Sequence, residues 1–64
     1  MTTSEKESYI TSIYESADYI SSQIGSATVD FVLEKYGAHC VEDLVSNDLP
    51  DVFNELYAIE ADLR

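Results

Sequence analysis

Sixty-four residues make one domain, close to the lower size limit for a chain that folds alone. Such a chain buries only about 60% of the surface its unfolded form exposes, which leaves room for one small core and no internal active-site cleft. Thirteen acids against three bases give a formal net charge of −10, which argues against direct binding to DNA, RNA or an anionic membrane, all of them polyanions.

The same charge favours a protein partner with a basic surface, with plain solubility as the alternative. A hydrophobic content of 45% is ordinary for a globular domain and too high for a disordered acidic tail. The single Cys40 allows no intrachain disulfide. No apolar run approaches the ~20 residues a membrane span needs. "MTTSEKESY" is polar and acidic, unlike a signal peptide. The expectation is a soluble, cytoplasmic protein, with residues 1–64 forming a single acidic helical domain.

The first helix begins at "SEKE", where Ser4 and Glu7 have capping-box spacing. Ile10, Ile13, Ala17, Ile20 and Ile24 follow in steps of 3 and 4, with Tyr14 beside them, forming one helical stripe. Gly25 stands where a left-handed C-cap belongs. A second helix, "TVDFVLEKY", is capped by Ser26 or Thr28 and ended by Gly37. It turns Val29, Val32, Leu33 and Tyr36 to one side. Phe31 lies nearly opposite them, so the helix is expected to be sandwiched, with Phe31 buried. Lending Phe31 to a partner is the other possibility.

"CVEDLV" forms a short piece of a turn or two with Val41, Leu44 and Val45 inward. Asp48 is the expected N-cap of the last helix, with Pro50 tolerated in its first turn. From there Leu49, Val52, Leu56, Ile59 and Leu63 repeat the stripe of the first helix, with Phe53 alongside. Two matching stripes satisfy each other when their helices lie side by side. The predicted fold is all-α: a compact bundle of two long and one or two short helices. No stretch alternates as a strand does, and no Asn-Gly or Asp-Gly hairpin signal occurs.

Residues the core does not claim are the candidates for function. Tyr19 lies roughly opposite the isoleucine stripe, near Ser12 and Glu15, while Tyr9 and Tyr57 sit at stripe edges. Tyr14 and Tyr36 are assigned to the core, and Tyr19 to an interface, where tyrosine is enriched. Asp51, Glu55 and Asp62 share the outer face of the last helix. Acids near helix N-termini (Glu5, Glu7, Asp30, Asp48, Asp51) favour the helix dipole; Glu55, Glu60 and Asp62, near a C-terminus, do not. The partner-binding set is therefore Glu15, Tyr19, Asp51, Glu55, Tyr57 and Asp62.

No catalytic, cofactor or metal site is expected. His39 and Cys40 are adjacent in a turn with no third orienting group. One Cys and one His fall short of a zinc site. Asp48 and Asp51 lack an EF-hand loop, and no Gly-rich phosphate loop occurs. "HCVEDLVSND", the one candidate recognition helix, has no Lys or Arg with which to approach phosphates.

Through "FVLEKYG", "VEDL" and "VFNELYAIEADLR" the chain resembles small acidic helical proteins carried by bacterial mobile elements and phages. The resemblance implies an accessory gene, and such proteins include anti-restriction and anti-CRISPR inhibitors that occupy nucleic-acid-binding surfaces. It carries over no contact residues. The expected function is thus a non-enzymatic interaction module, in its narrower form a partial DNA mimic that inhibits a host defence protein. Duplex DNA would carry roughly eighteen charges over ~30 Å, against a net of ten here spread all round, so any mimicry is confined to one face. The alternative is a self-associating helical adaptor, such as a homodimer, whose acids serve solubility.

Overall fold

A 22-residue helix rising ~1.5 Å per residue is ~33 Å long, and the first helix alone accounts for the 32 Å length of the molecule. The computed structural model describes residues 3–64. Its elements are α1 (Thr3–Ile24), α2 (Ala27–Lys35), two single 3₁₀ turns at Val41–Asp43 and Ser46–Asp48, and α3 (Leu49–Leu63). No strand occurs among the described residues. The all-α architecture expected from the stripes is the one observed.

Tyr9 meets Phe53, and Tyr19 meets Arg64. Both contacts advance in the same chain direction, so α1 and α3 run parallel. Gly25 (φ +92°) and Gly37 (φ +73°) make the left-handed turns at the ends of α1 and α2 that residues with a Cβ adopt only with strain. The chain turns at Gly25, descends through α2, crosses by the two 3₁₀ turns and climbs again through α3.

The core is the meeting of the stripes. Ile13 and Ile20 of α1 and Leu49, Val52 and Leu56 of α3 are fully buried. Val29, Val32 and Leu33 close them from α2, and Ala38, Val41 and Leu44 from the connecting segment. Tyr9, Ile10, Tyr36, Phe53, Ile59 and Leu63 pack around the edge. The molecule measures 32 × 22 × 14 Å, and with only three helices around one core each helix keeps a face open to solvent.

Several expectations are corrected by the packing. Phe31 is 63% exposed rather than sandwiched, because α2 turns Val29, Val32 and Leu33 to the core and nothing among the described residues packs over its opposite side. Val45 is likewise exposed, since the two 3₁₀ turns aim Leu44 inward and leave its neighbour out. Ile24, at the last turn of α1, lies beyond the end of the core and is exposed. Tyr14 is not a core residue: its ring is exposed and its hydroxyl donates to Glu42. Helix α1 already includes Thr3, so Ser4 stands inside the first turn rather than at a cap. Ser26 and Asp48 hold the N-cap positions of α2 and α3 but make no side-chain cap bond.

Candidate docking surface

At ~100° per residue, the residues of α3 sort onto two edges either side of its buried stripe. Phe53, Tyr57, Glu60 and Arg64 face α1, and Asp51, Glu55 and Asp62 lie on the side of α2. The expected partner-binding set is therefore divided. Tyr57 joins Glu15 and the Tyr19 neighbourhood on the α1 side, while the three acids stand about 140° away around the helix, counting from Tyr57 to Asp62.

On the α1 side the seam between the helices is an open groove. Three contiguous depressions run along it. The first, about 300 Å³, is lined by Ser4, Glu5, Ser8, Tyr9, Ser12 and Phe53. A second lies beside it over Glu7, Thr11 and Glu15, sharing Ser4, Ser8 and Ser12. The third, about 240 Å³, continues from Ser12, Glu15, Ser16 and Phe53 to Tyr57, Glu60 and Arg64. Its floor is aromatic: Tyr9 and Phe53 meet edge-on at 6.1 Å, and Phe53 and Tyr57 are 5.8 Å apart. Edge-on and tilted pairs of this kind are held by ring quadrupoles as well as by burial. Tyr57 is 56% exposed.

One wall of the groove belongs to α1, where Ser4, Ser8, Ser12 and Ser16 recur one turn apart. Ser16 is buried at 4% exposure and lines the third depression. At the far end the Arg64 guanidinium lies 4.5 Å over the Tyr19 ring, a cation–π contact. The same group pairs with Glu60, through Nε at 2.9 Å and Nη2 at 2.8 Å, which pushes the Arg64 pKa up. Tyr19 is thus half-buried beneath an arginine of its own chain.

The α2 side differs in kind. Glu55 does not stand free on an outer face: one carboxylate oxygen takes the Lys35 ammonium, and the other is buried without a hydrogen bond. Lys35 holds the Glu55 carboxyl below its usual range despite partial burial. In turn Glu55, with Asp51 and Asp48 nearby, raises the Tyr36 phenol. Asp51 and Asp62 remain exposed. Elsewhere the Glu42 carboxylate raises the Tyr14 hydroxyl to about 12 and is itself lowered by that bond.

Four participants escape sequence inspection to different degrees. Glu60 and Arg64 form an i, i+4 pair that spacing alone reveals, and Phe53 to Tyr57 is an aromatic pair of the same spacing. The pairing of Lys35 with Glu55 has no local signal, because it joins separate helices. Cys40 is a free, exposed thiol beside His39, whose backbone N–H donates to Asp43 at 3.3 Å. Among the described residues no three His, Cys, Asp or Glu side chains gather as a metal site would require, and no helix is long and apolar enough to cross a membrane. Compared with known protein families, curated proteins and solved structures, the chain matches none.

Proposed function

We propose that this chain is a non-enzymatic interaction domain that docks on the basic surface of a protein partner and binds no nucleic acid itself. The observation that carries the reading is the commitment of the bases. Lys35 and Arg64 are engaged by Glu55 and Glu60, and the chain as a whole sets three bases against thirteen acids. A net negative charge of this size raises association rates with a cationic surface and selects against anionic ones. The aromatic seam supplies the apolar contact that charge alone does not.

In its narrower form the partner is a nucleic-acid-binding protein, a host defence nuclease among them, whose phosphate sites the carboxylates occupy. The acids are distributed over all three helices, which suits occlusion of a basic surface better than imitation of a regular phosphate row. The test is binding to, and inhibition of, purified restriction and CRISPR effector complexes across a salt series. The complex is expected near 50 mM salt and lost near 0.5 M, where the screening length falls to a few Å. Asp51→Lys with Asp62→Lys is expected to weaken it. Binding indifferent to both salt and charge reversal removes the proposal.

A second reading rests on Phe31 and Val45, which are 63% and 61% exposed. Apolar groups left out of a small core favour self-association. Here light scattering would find a dimer insensitive to salt, and Phe31→Ser would convert it to a monomer.

A further inference from the structure

The interaction reading leaves open where the partner sits and what it presents, and the α1–α3 seam answers both. We propose that this seam is the docking groove for a cationic amphipathic helix of the partner protein, whose arginine takes the place that Arg64 now holds over Tyr19.

Shape comes first. Both walls are parallel helices, so the groove is straight. From Ser4 to Ser16 it runs ~18 Å, rather more than three helical turns. Serines at one-turn intervals along α1 let a helix backbone approach closely, as longer side chains would not.

Chemistry then fixes the register. At one end the Tyr9–Phe53 cleft takes an apolar side chain. Along the lip stand Glu7 and Glu15, exposed and without an ion pair, which complement lysines flanking that side chain. Ser16, largely buried, lines the middle of the groove. At the other end an aromatic face and the Glu60 carboxylate already cradle a guanidinium. Arg64 is thus a ligand of the right chemistry supplied by the chain itself. Phe53 and Arg64, the residue that caps α3, are eleven residues apart on one side. A partner helix with an apolar residue and an arginine at the same spacing would span ~16 Å and meet both ends of the groove.

This inference rests on the proposed interaction function but is tested apart from it. The probe is a synthetic helical peptide of roughly sixteen residues, with leucine and arginine eleven apart and lysines on its polar face. A scrambled peptide of equal charge is the control. Titrated into the ¹⁵N-labelled full chain, the first peptide is expected to shift the amides of Ser8, Ser12, Ser16 and Tyr57, and to bind about tenfold more tightly than the scramble, a difference of about 1.4 kcal/mol. Ser8→Lys, at an exposed position outside the core, is expected to weaken it by a similar factor. Arg64→Ala is expected to tighten it severalfold by clearing the cradle. Equal binding of both peptides, binding of neither, shifts confined to Phe31 or to Asp51 and Asp62, or indifference to Ser8→Lys would each overturn the groove. A salt-sensitive complex that survives such a result would leave the interaction function standing. A seam that binds the peptide while no nucleic-acid-binding protein is captured would instead leave the groove and remove that partner.

Discussion

The two edges of α3 carry similar residue types to different ends. Toward α2, Glu55 is drawn down to Lys35 with one oxygen buried, and its charge is spent holding two helices together. Toward α1, Glu60 pairs with Arg64, a group one turn away on the same helix, so that pair fixes no second helix by itself. It presents a guanidinium over Tyr19 at the rim of a groove. An acidic side chain that bridges elements belongs to the fold. One that holds an exposed cation next to an aromatic face presents a site that another cation could fill.

Substitutions on the two edges should separate these roles, beginning with the largest effect. Phe53→Ala removes the ring that touches both Tyr9 and Tyr57 and should cost about 2 kcal/mol, from lost apolar burial and aromatic pairing. A lower urea midpoint at unchanged slope would measure it. No change in midpoint would mean the α1 edge is not built as described.

Lys35→Met should cost about 1 kcal/mol, as the pair is partly exposed and screened, and should alter the response to acid. Folding lowers the Glu55 pKa, so this pairing stabilises above the ordinary carboxylate range and is lost as pH falls through the lowered value. Chemical denaturation from pH 7 to pH 3 should therefore show a shallower acid loss in Lys35→Met than in the parent. Parallel curves would assign Glu55 to the solvated surplus instead.

The smallest effects, within ~0.5 kcal/mol, are expected from Asp51→Lys and Asp62→Lys taken singly. Their signs should differ. Asp51 lies in the first turn of α3, where an acid favours the dipole, and Asp62 in its last, where a cation does. Melting temperatures at low salt should move down and up respectively, and converge as salt is added.

The helices were legible because α1 and α3 repeat apolar residues at 3 and 4, and because Gly25 and Gly37 end α1 and α2 at backbone angles that suit glycine. Phe31, Val45 and Tyr14 were misplaced for a common reason. Periodicity tells which side of a helix is apolar but not whether a neighbour covers it, and these three side chains are left exposed. Glu15, Tyr19 and Tyr57 were recognisable as residues the core leaves over. That they share a seam depends on α1 and α3 running parallel, which no single segment encodes. Glu55 was assigned to the outer face because its helix position permits it; only the arrival of α2 turns it toward Lys35.

Parallel packing of α1 and α3 has an electrical consequence of its own. Neighbouring helices in most small bundles point in opposite directions and partly cancel their dipoles. Here the two longest place both amino ends together and both carboxyl ends together, so the polarities add. Glu5 and Asp51 sit at the electropositive pole, as the first-turn acids of the two helices. At the opposite pole neither helix has a base in its last turn, and Arg64, leaning from the end of α3 onto Tyr19, is the one cation placed to serve both. That single side chain therefore keeps company with two helix ends at once, and displacing it would unbalance the pole as well as empty the cradle.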